Sequence, residues 1–180
     1  MGTRPARSEP VEKGENFAMA NIATIPQDSP VIRRDDPLAP ELRPVFQRHL
    51  TLMWESSPPE SVHALDPAEL AVPGVAFFSL RQGQSVLGMG AIKAIDPTHA
   101  EIKSMHILSE ARGKGLARRM LDHLMAEARA AGFVRLSLET GVEPAFAAAR
   151  ALYAAAGFVP CPPFADYRDD PNSLFMTRGL

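Results

Sequence analysis

Apolar and polar positions along the chain recur with two periods, and together they predict a mixed α/β fold. Short apolar or alternating runs predict strands over residues 31–33, 75–80, 86–95, 102–108, 135–139 and 174–177. Apolar residues spaced three and four apart predict helices from residue 40, over 113–131 and over 144–156. A meander of strands followed by strand–helix–strand–helix–strand is typical of one α/β domain.

Within the helices, the apolar positions predict which residues face the core. The first helix is predicted to bury Leu42, Val45, Phe46, His49 and Met53, and the long helix to bury Ala117, Leu121, Leu124 and Ala128. Asp66, Pro67 and Glu69 have the pattern of a helix start with a capping box. Gly132 and Gly157 are predicted to end the two later helices in a left-handed conformation. His99 and His123 are interpreted as a turn residue and a helix-surface residue.

Composition narrows the class of protein. The chain has 180 residues, of which 46% are hydrophobic, and a formal net charge of -2, which disfavours a whole-protein grip on nucleic acid. No apolar run approaches the roughly 18 residues of a membrane span. The single cysteine, Cys161, excludes an internal disulfide and indicates a reducing, cytoplasmic location. No spacing of His, Asp and Glu residues suggests a metal site.

Domain boundaries follow from the same patterns. Residues 1–30 mix Gly, Pro, Glu, Arg and Ser without an apolar period, and we interpret them as a flexible N-terminal tail. Residues 31–180 are predicted to form one folded domain, and no internal repeat is found in them.

The most informative stretch is a turn that follows a predicted strand and opens the long helix. Glycines at 113 and 115 allow the backbone to approach a ligand, and the free N–H groups of a helix start attract anions. Four basic residues lie there with no acid among them: Arg112, Lys114, Arg118 and Arg119. The turn lacks the pattern of a P-loop and the third glycine of a dinucleotide fingerprint. Taken alone, an anion site and an ordinary basic helix start explain it equally well.

Two motifs carry a resemblance to a known family. Arg112-x-x-Gly115-x-Ala117 resembles the acyl-CoA pyrophosphate signature of the GNAT superfamily of N-acetyltransferases, and Leu152-Tyr153-x-x-x-Gly157-Phe158 resembles that family's later helix. The resemblance covers about residues 31–178 and suggests a small bacterial-type, single-domain member. It implies an α/β (α+β) fold with a mostly antiparallel mixed sheet and helices on both faces. One departure is Phe146, at a position where the family often has Asn.

The resemblance implies acetyl-CoA as co-substrate and assigns residues to it. The strand before the turn would pair through its backbone with the pantetheine arm, at Met105, His106 and Ile107. The turn would hold the pyrophosphate with Arg112, Gly113, Lys114, Gly115, Leu116 and Ala117. Splaying of this strand from the next one would leave a slot for the thioester.

Catalytic and acceptor residues are also implied. Glu101 is the first candidate for the base, with a strand-end charge paired to Lys103 as the equal alternative, and Tyr153 is the candidate acid for the departing thiolate. Glu139 is a second candidate base or a contact for a cationic acceptor. His63 and Tyr167, in two proline-containing loops, are candidate acceptor contacts.

The sequence thus predicts an acetyl-CoA-dependent N-acetyltransferase acting on a small-molecule or peptide amine. The resemblance also suggests a homodimer that forms through an exposed sheet edge. A non-catalytic acyl-CoA-binding regulatory domain is the alternative. Nucleotide binding with unrelated chemistry is a third hypothesis, which the missing phosphate-loop patterns disfavour.

Overall fold

The computed structural model describes residues 1–2 and 29–180. The predicted tail falls almost wholly outside them. The described chain forms one seven-stranded sheet with four α-helices. The strands are β1 (Val31–Arg34), β2 (Val75–Gln82), β3 (Ser85–Ala94), β4 (His99–Ile107), β5 (Arg135–Gly141), β6 (Val159–Pro160) and β7 (Ser173–Gly179). The helices are α1 (Arg43–Ser56), α2 (Pro67–Leu70), α3 (Leu116–Ala130) and α4 (Ala147–Ala155).

The sheet has the order β1-β2-β3-β4-β5-β7-β6. Every neighbouring pair is antiparallel except β4 and β5, which run parallel around α3. Helices cover both faces: Phe77 stacks on Phe46 of α1, while the next residue, Phe78, meets His123 of α3. Successive strand residues point to opposite faces, so α1 and α3 lie on opposite sides. The predicted fold class is confirmed.

Most of the predicted core positions are buried. Leu42, Val45, Phe46 and His49 of the first stripe are buried, as are Leu121, Leu124 and Ala128 of α3. Met53 and Ala117 are only half-buried, because both line a cavity described below. The capping box of α2 is present, and Gly132 and Gly157 have the left-handed backbone predicted for them, with φ of +90° and +85°.

Two element boundaries and one additional strand differ from the prediction in ways that have a clear physical reason. β4 begins at His99 rather than 102, because the Asp96 carboxylate accepts the backbone N–H groups of Thr98 and His99 and turns the chain early. α3 begins at Leu116 rather than 113, because Gly113 and Gly115 have φ of +76° and +72°, which no right-handed helix accommodates. β6 was not predicted, since two residues give no periodic signal.

His99 was wrongly interpreted as a turn residue. It is the first residue of β4 and is buried, with Nε2 2.7 Å from the Ser137 hydroxyl on β5. The Arg135 guanidinium faces its Nδ1 at 3.1 Å. Because Arg135 can only donate, Nδ1 accepts and Nε2 carries the proton toward Ser137. The burial of the ring and the charge of Arg135 lower the pKa of His99.

The central feature for function is a wedge between β4 and β5. Their ladder ends at the pair Ile102–Leu138, while β5 continues along β7 as far as Gly141. Just beyond that point β4 carries one extra residue relative to β3, at Ser104, whose φ is +50°. This bulge bends β4 where its pairing with β5 stops. The predicted splay is therefore present, and on the β5 side residues 103–107 pair with no strand of the described chain.

Candidate active site

The turn after β4 is an open, basic helix start. Gly115 occupies the N-cap of α3. Because glycine has no side chain, no N-cap side chain accepts a hydrogen bond from the N–H groups of the first turn. A Cβ atom built on Gly113 or Gly115 would meet no atom within 4 Å, so the space above the turn is free. Arg112 donates to the Ile107 carbonyl at 3.1 Å and Arg118 pairs with Asp122. Neither Lys114 nor Arg119 has an ion-pair partner among the described residues, so both charges remain available to an anion.

A cavity of about 470 Å³, here called the slot cavity, runs from this turn into the wedge between β4 and β5. Its walls come from α1, β4, the end of β5, α4 and the segment that follows α1. It brings together most residues singled out in the sequence: His63, Met105, His106, Ile107, Arg112, Gly113, Gly115, Leu116, Ala117, Glu139 and Tyr153. Lys114, Glu101 and Tyr167 do not line it.

Tyr153 of α4 reaches the slot cavity with its hydroxyl close to β4. The side chain is buried and packs against Phe158, with 5.9 Å between ring centroids. Among the described residues its hydroxyl has one hydrogen-bond partner, the Met105 sulfur at 3.9 Å, which is a weak acceptor. Burial, and then the nearby Glu139 charge, raise the pKa of Tyr153 above its ordinary value. The phenol therefore keeps its proton at neutral pH and has no strong partner for it.

Glu139 enters the same cavity from β5. Its carboxylate accepts a hydrogen bond of 2.7 Å from the Ser173 hydroxyl, and the side chain is half-buried rather than a solvated strand terminus. Burial raises the pKa of Glu139, opposed in part by the Ser173 hydrogen bond and by the charges of His63 and Lys103. A carboxylate with a raised pKa is a better proton acceptor than an ordinary glutamate.

Glu101 has different surroundings. It is buried inside β4, where its Oε1 accepts a 2.6 Å hydrogen bond from the Tyr167 hydroxyl and lies 3.4 Å from Lys103 Nζ. Lys103 also donates to the Tyr167 hydroxyl and to the His63 carbonyl. The predicted partnership with Lys103 is found, although Glu101 is not at the start of the strand. Burial and the adjacent Glu101 raise the pKa of Tyr167.

These residues line a second cavity, here called the outer cavity, of about 800 Å³. It lies between residues 60–65, residues 165–172 and the β4 side chains of Glu101 and Lys103. His63 belongs to both cavities; its ring meets Tyr167 edge-on at 5.1 Å, and its Nε2 is 3.9 Å from Asp170. The loop that carries His63 and the loop that carries Tyr167 therefore meet beside the slot cavity. This is the place where candidate contacts to the acceptor are expected.

Two residues of this neighbourhood were missed or underrated in the sequence. The sequence suggests Lys103 only as a partner for Glu101, yet Lys103 is buried and joins both loops to β4. The alternation of Glu101 and Lys103 along one strand was the available signal. His106 was assigned through its backbone, but its ring also packs on His49 at 5.3 Å. Burial lowers the pKa of His106 to about 4 and that of His49 to about 3.

The departure at Phe146 also has a structural counterpart. Phe146 is buried and packs directly over Gly141, where any Cβ atom would collide with its ring. An apolar ring thus lines the slot cavity where the family often has an amide. Within the described residues, no group of three or more His, Cys, Asp or Glu side chains is arranged to hold a metal ion. None of the described helices is long and apolar enough to cross a membrane.

Comparison with known proteins relates the chain to acetyltransferases at the level of family, sequence and fold. The model of the family described as "Acetyltransferase (GNAT) family" matches residues 39–158. The chain is 44% identical to "Uncharacterized N-acetyltransferase YsnE" of Bacillus subtilis, over 83% of this chain and 99% of that protein. It is 41% identical to "Uncharacterized N-acetyltransferase YedL" of Escherichia coli, over 83% and 94%. A GNAT family acetyltransferase of Elizabethkingia anophelis, solved with acetyl-CoA bound, has the same fold at 14% identity, with a TM-score of 0.61 over 85% of this chain and 99% of that one.

Proposed function

Because the chain belongs to the GNAT acetyltransferase family, we propose that this N-acetyltransferase transfers the acetyl group directly to an amine held in the slot cavity. Acetyl-CoA, its co-substrate, supplies the acetyl group as an activated thioester. The observation that carries the proposal is a single cavity with a free basic helix start at one end and Glu139 and Tyr153 in the wedge. The alternative of a non-catalytic acyl-CoA-binding domain is disfavoured, since the relatives are named as N-acetyltransferases.

Binding of acetyl-CoA is assigned to the wedge and the turn. The unpaired edge of β4 offers backbone N–H and C=O groups to an extended, amide-containing arm at Met105, His106 and Ile107. The α3 start offers free N–H groups and the uncompensated charges of Lys114 and Arg119 to a pyrophosphate. The open space above Gly113 and Gly115 fits this assignment.

Glu139 is assigned the role of the base. It faces the same cavity as Tyr153 and its pKa is raised by burial, whereas Glu101 lies outside that cavity and is held by Tyr167 and Lys103. Glu139 accepts the proton that the attacking amine loses as the C–N bond forms. Tyr153 donates a proton to the sulfur as the C–S bond breaks, so one amide and one thiol result.

Glu101, Lys103, Tyr167 and His63 are assigned to the acceptor side. Their hydrogen bonds tie the loop that carries His63 and the loop that carries Tyr167 to β4, beside both cavities. We further propose that the enzyme works in the cytoplasm, supported by its single cysteine, and that any homodimer forms through an exposed sheet edge.

Two matched glutamine variants test the assignment of the base. Glu139→Gln should lower kcat for a panel of amines by about 100-fold, because general-base catalysis contributes that much, with unchanged acetyl-CoA affinity by calorimetry. Glu101→Gln should retain most of kcat and lose stability instead. Full activity in the Glu139 variant with loss in the Glu101 variant would move the base to Glu101. Failure of the parent protein to bind acetyl-CoA would overturn the whole proposal.

A further inference from the structure

A buried imidazole lines the slot cavity without a role in the chemistry described so far. His49 of α1 is only 6% exposed, and its Nδ1 has no hydrogen-bond partner in the part of the chain that the structure describes. A buried polar atom left unpaired costs about 1–3 kcal/mol, so native proteins rarely keep one without a reason. Nδ1 itself has no accessible surface. The other ring nitrogen, Nε2, also has no hydrogen-bond partner among the described residues but is not sealed from solvent, so a molecule bound in the slot cavity can reach the ring at Nε2.

The surroundings of His49 indicate which molecule this is. On the α1 side, four apolar side chains form most of the wall, and three polar residues interrupt it: Leu52, Met53, Val62 and Ala64, with Ser57, Ser61 and His63. The ring of His49 packs on that of His106, whereas the Tyr153 hydroxyl approaches Met105, the neighbouring residue of β4. Successive residues of a strand point to opposite faces, so His49 and Tyr153 approach β4 from different sides. The α1 side is continuous with residues 61–64, which also border the outer cavity.

Charge narrows the class of acceptor further. Of the lining residues, Arg112 and Arg118 belong to the basic turn, and Glu139 carries the only carboxylate. His49 itself is neutral at neutral pH, since burial lowers its pKa to about 3. A second charge on the acceptor, held against Leu52, Met53 and Val62, would have no charged partner on the α1 side of the slot cavity. In the outer cavity Glu101 and Lys103 already pair with each other, and burying an unpaired charge is costly.

We propose that His49 selects the acceptor: it hydrogen-bonds an uncharged polar group, such as an amide, on an amine whose body is apolar and rests against Leu52, Met53 and Val62. The inference rests on the proposed function and adds the class of substrate to it. His49 is a specificity-determining residue, and neither the acetyl group nor a proton passes through it.

The test compares two amines with the same aromatic body, phenylalaninamide and phenethylamine, in the full-length enzyme and in His49→Leu. The ratio of their kcat/KM values should fall about tenfold in the variant, the effect of one neutral hydrogen bond. Taking the ratio between variant and parent cancels the different pKa values of the two amines. His49→Asn, which keeps a donor and an acceptor, should restore part of the ratio. Because that variant also keeps the site polar, it serves if the leucine variant folds poorly.

His123→Leu is the matched control. Its Nε2 is also buried and has no hydrogen-bond partner among the described residues, with the Glu127 carboxylate 3.9 Å away, but the ring lies on α3 against Phe78, outside the slot cavity. The control should leave the ratio unchanged. The inference is overturned if the ratio in His49→Leu equals that of the parent, or if spermidine is a better acceptor than both aromatic amines. Turnover of neither aromatic amine by a parent that binds acetyl-CoA also overturns it, without touching the acetyl-CoA assignment.

Calorimetry with acetyl-CoA tests whether His49 contacts acetyl-CoA or the acceptor amine, the two molecules that the slot cavity is proposed to hold. The dissociation constant should stay within about twofold in His49→Leu, since no group of acetyl-CoA is assigned to the α1 wall. A tenfold weaker affinity with an unchanged amine ratio would place His49 against the pantetheine arm and overturn the inference. A parent that does not bind acetyl-CoA would instead remove the proposed function on which it rests.

Discussion

The chain's two tyrosines differ in what their hydroxyl groups contact. Within residues 29–180, the Tyr153 hydroxyl donates only to the Met105 sulfur in the slot cavity, whereas Tyr167 donates to Glu101 and accepts from Lys103. A hydroxyl that holds a charged network contributes to stability, and one without a strong partner is free for chemistry. The two residues therefore form a natural pair of probes.

Replacing each tyrosine by phenylalanine should separate activity from stability. Tyr153→Phe should lower kcat by about 10- to 100-fold, because the departing sulfur loses its proton donor, with little change in unfolding temperature or acetyl-CoA affinity. Tyr167→Phe should lower the free energy of unfolding by about 2 kcal/mol, the value of a hydrogen bond to a charged group. Steady-state kinetics and urea denaturation measure both effects. An unchanged kcat in Tyr153→Phe would remove that residue from the reaction.

The buried histidines make stability depend on pH. The folded protein keeps His49 and His106 neutral, with pKa values of about 3 and about 4, whereas the unfolded chain binds protons near the ordinary value of 6.5. Stability from these groups is complete above pH 6.5 and is lost as pH falls toward 4. By pH 5 each should lower the free energy of unfolding by about 2 kcal/mol, from about 1.4 kcal/mol per pKa unit.

Urea denaturation at pH 7.5 and pH 5.0 checks this. His106→Leu should reduce the difference by about 2 kcal/mol, the share of that residue, while His49 and the buried His99, whose pKa is also lowered, keep theirs. Carboxylates with lowered pKa values, such as Asp35, titrate below this window. An equal difference in the parent and the variant would assign the pH dependence to other groups.

At the scale of elements, the contact between β3 and β4 supports the end of β4 that leads into the turn. Gly88 pairs with Ile107, and a Cβ atom built on Gly88 would lie 2.6 Å from the His106 carbonyl oxygen. Because that oxygen belongs to the backbone, the strand itself has to shift. The position of the turn therefore depends on a glycine in the neighbouring strand.

Gly88→Ala should lower the free energy of unfolding by about 1–3 kcal/mol through overpacking, and weaken acetyl-CoA binding because β4 is displaced. Gly179→Ala is the control: a Cβ atom there meets nothing within 4 Å, so it should behave like the parent. Thermal unfolding and calorimetry measure the two effects. An alanine at 88 with parental stability and affinity would show that β3 and β4 adjust without cost.

Sequence patterns predicted the elements well where local chemistry decides the outcome. The capping box of Asp66 and Glu69 and the helix ends at Gly132 and Gly157 depend on neighbours a few residues away. The start of α3 was placed three residues early, because apolar spacing does not register the positive φ of two glycines. Residue patterns also do not show which strand lies beside β4, and the wedge was expected only through the family resemblance.

The site was less accessible to sequence reasoning than the fold. Glu101 and Tyr167 are 66 residues apart, and nothing in either segment indicates that they share a hydrogen bond. That contact gives Glu101 a structural partner and leaves Glu139 as the better candidate base. The apolar residues at helical spacing around His49 predict that it is buried, and its burial is confirmed. They do not indicate that its Nδ1 has no hydrogen-bond partner among the described residues.

At the scale of the whole molecule, the described sheet and both cavities consist of residues from 31 onward. The two curated relatives also match over 83% of this chain. A protein of residues 31–180 should therefore keep the parental unfolding temperature and acetyl-CoA affinity. Thermal unfolding and calorimetry on the shortened and full chains test this. Weaker affinity in the shortened protein would assign the first 30 residues to the site.

The wedge between β4 and β5 has a consequence for inhibition and resistance. Under the proposed binding mode, the pantetheine arm is recognised at Met105, His106 and Ile107 by peptide groups, which every residue except proline carries in full. Side-chain mutations along this edge change its shape but leave its hydrogen-bonding pattern in place. A compound that copies an extended diamide would therefore bind backbone groups that few point mutations remove. Substitution of each of these residues by proline is the mutagenesis that would test this binding mode.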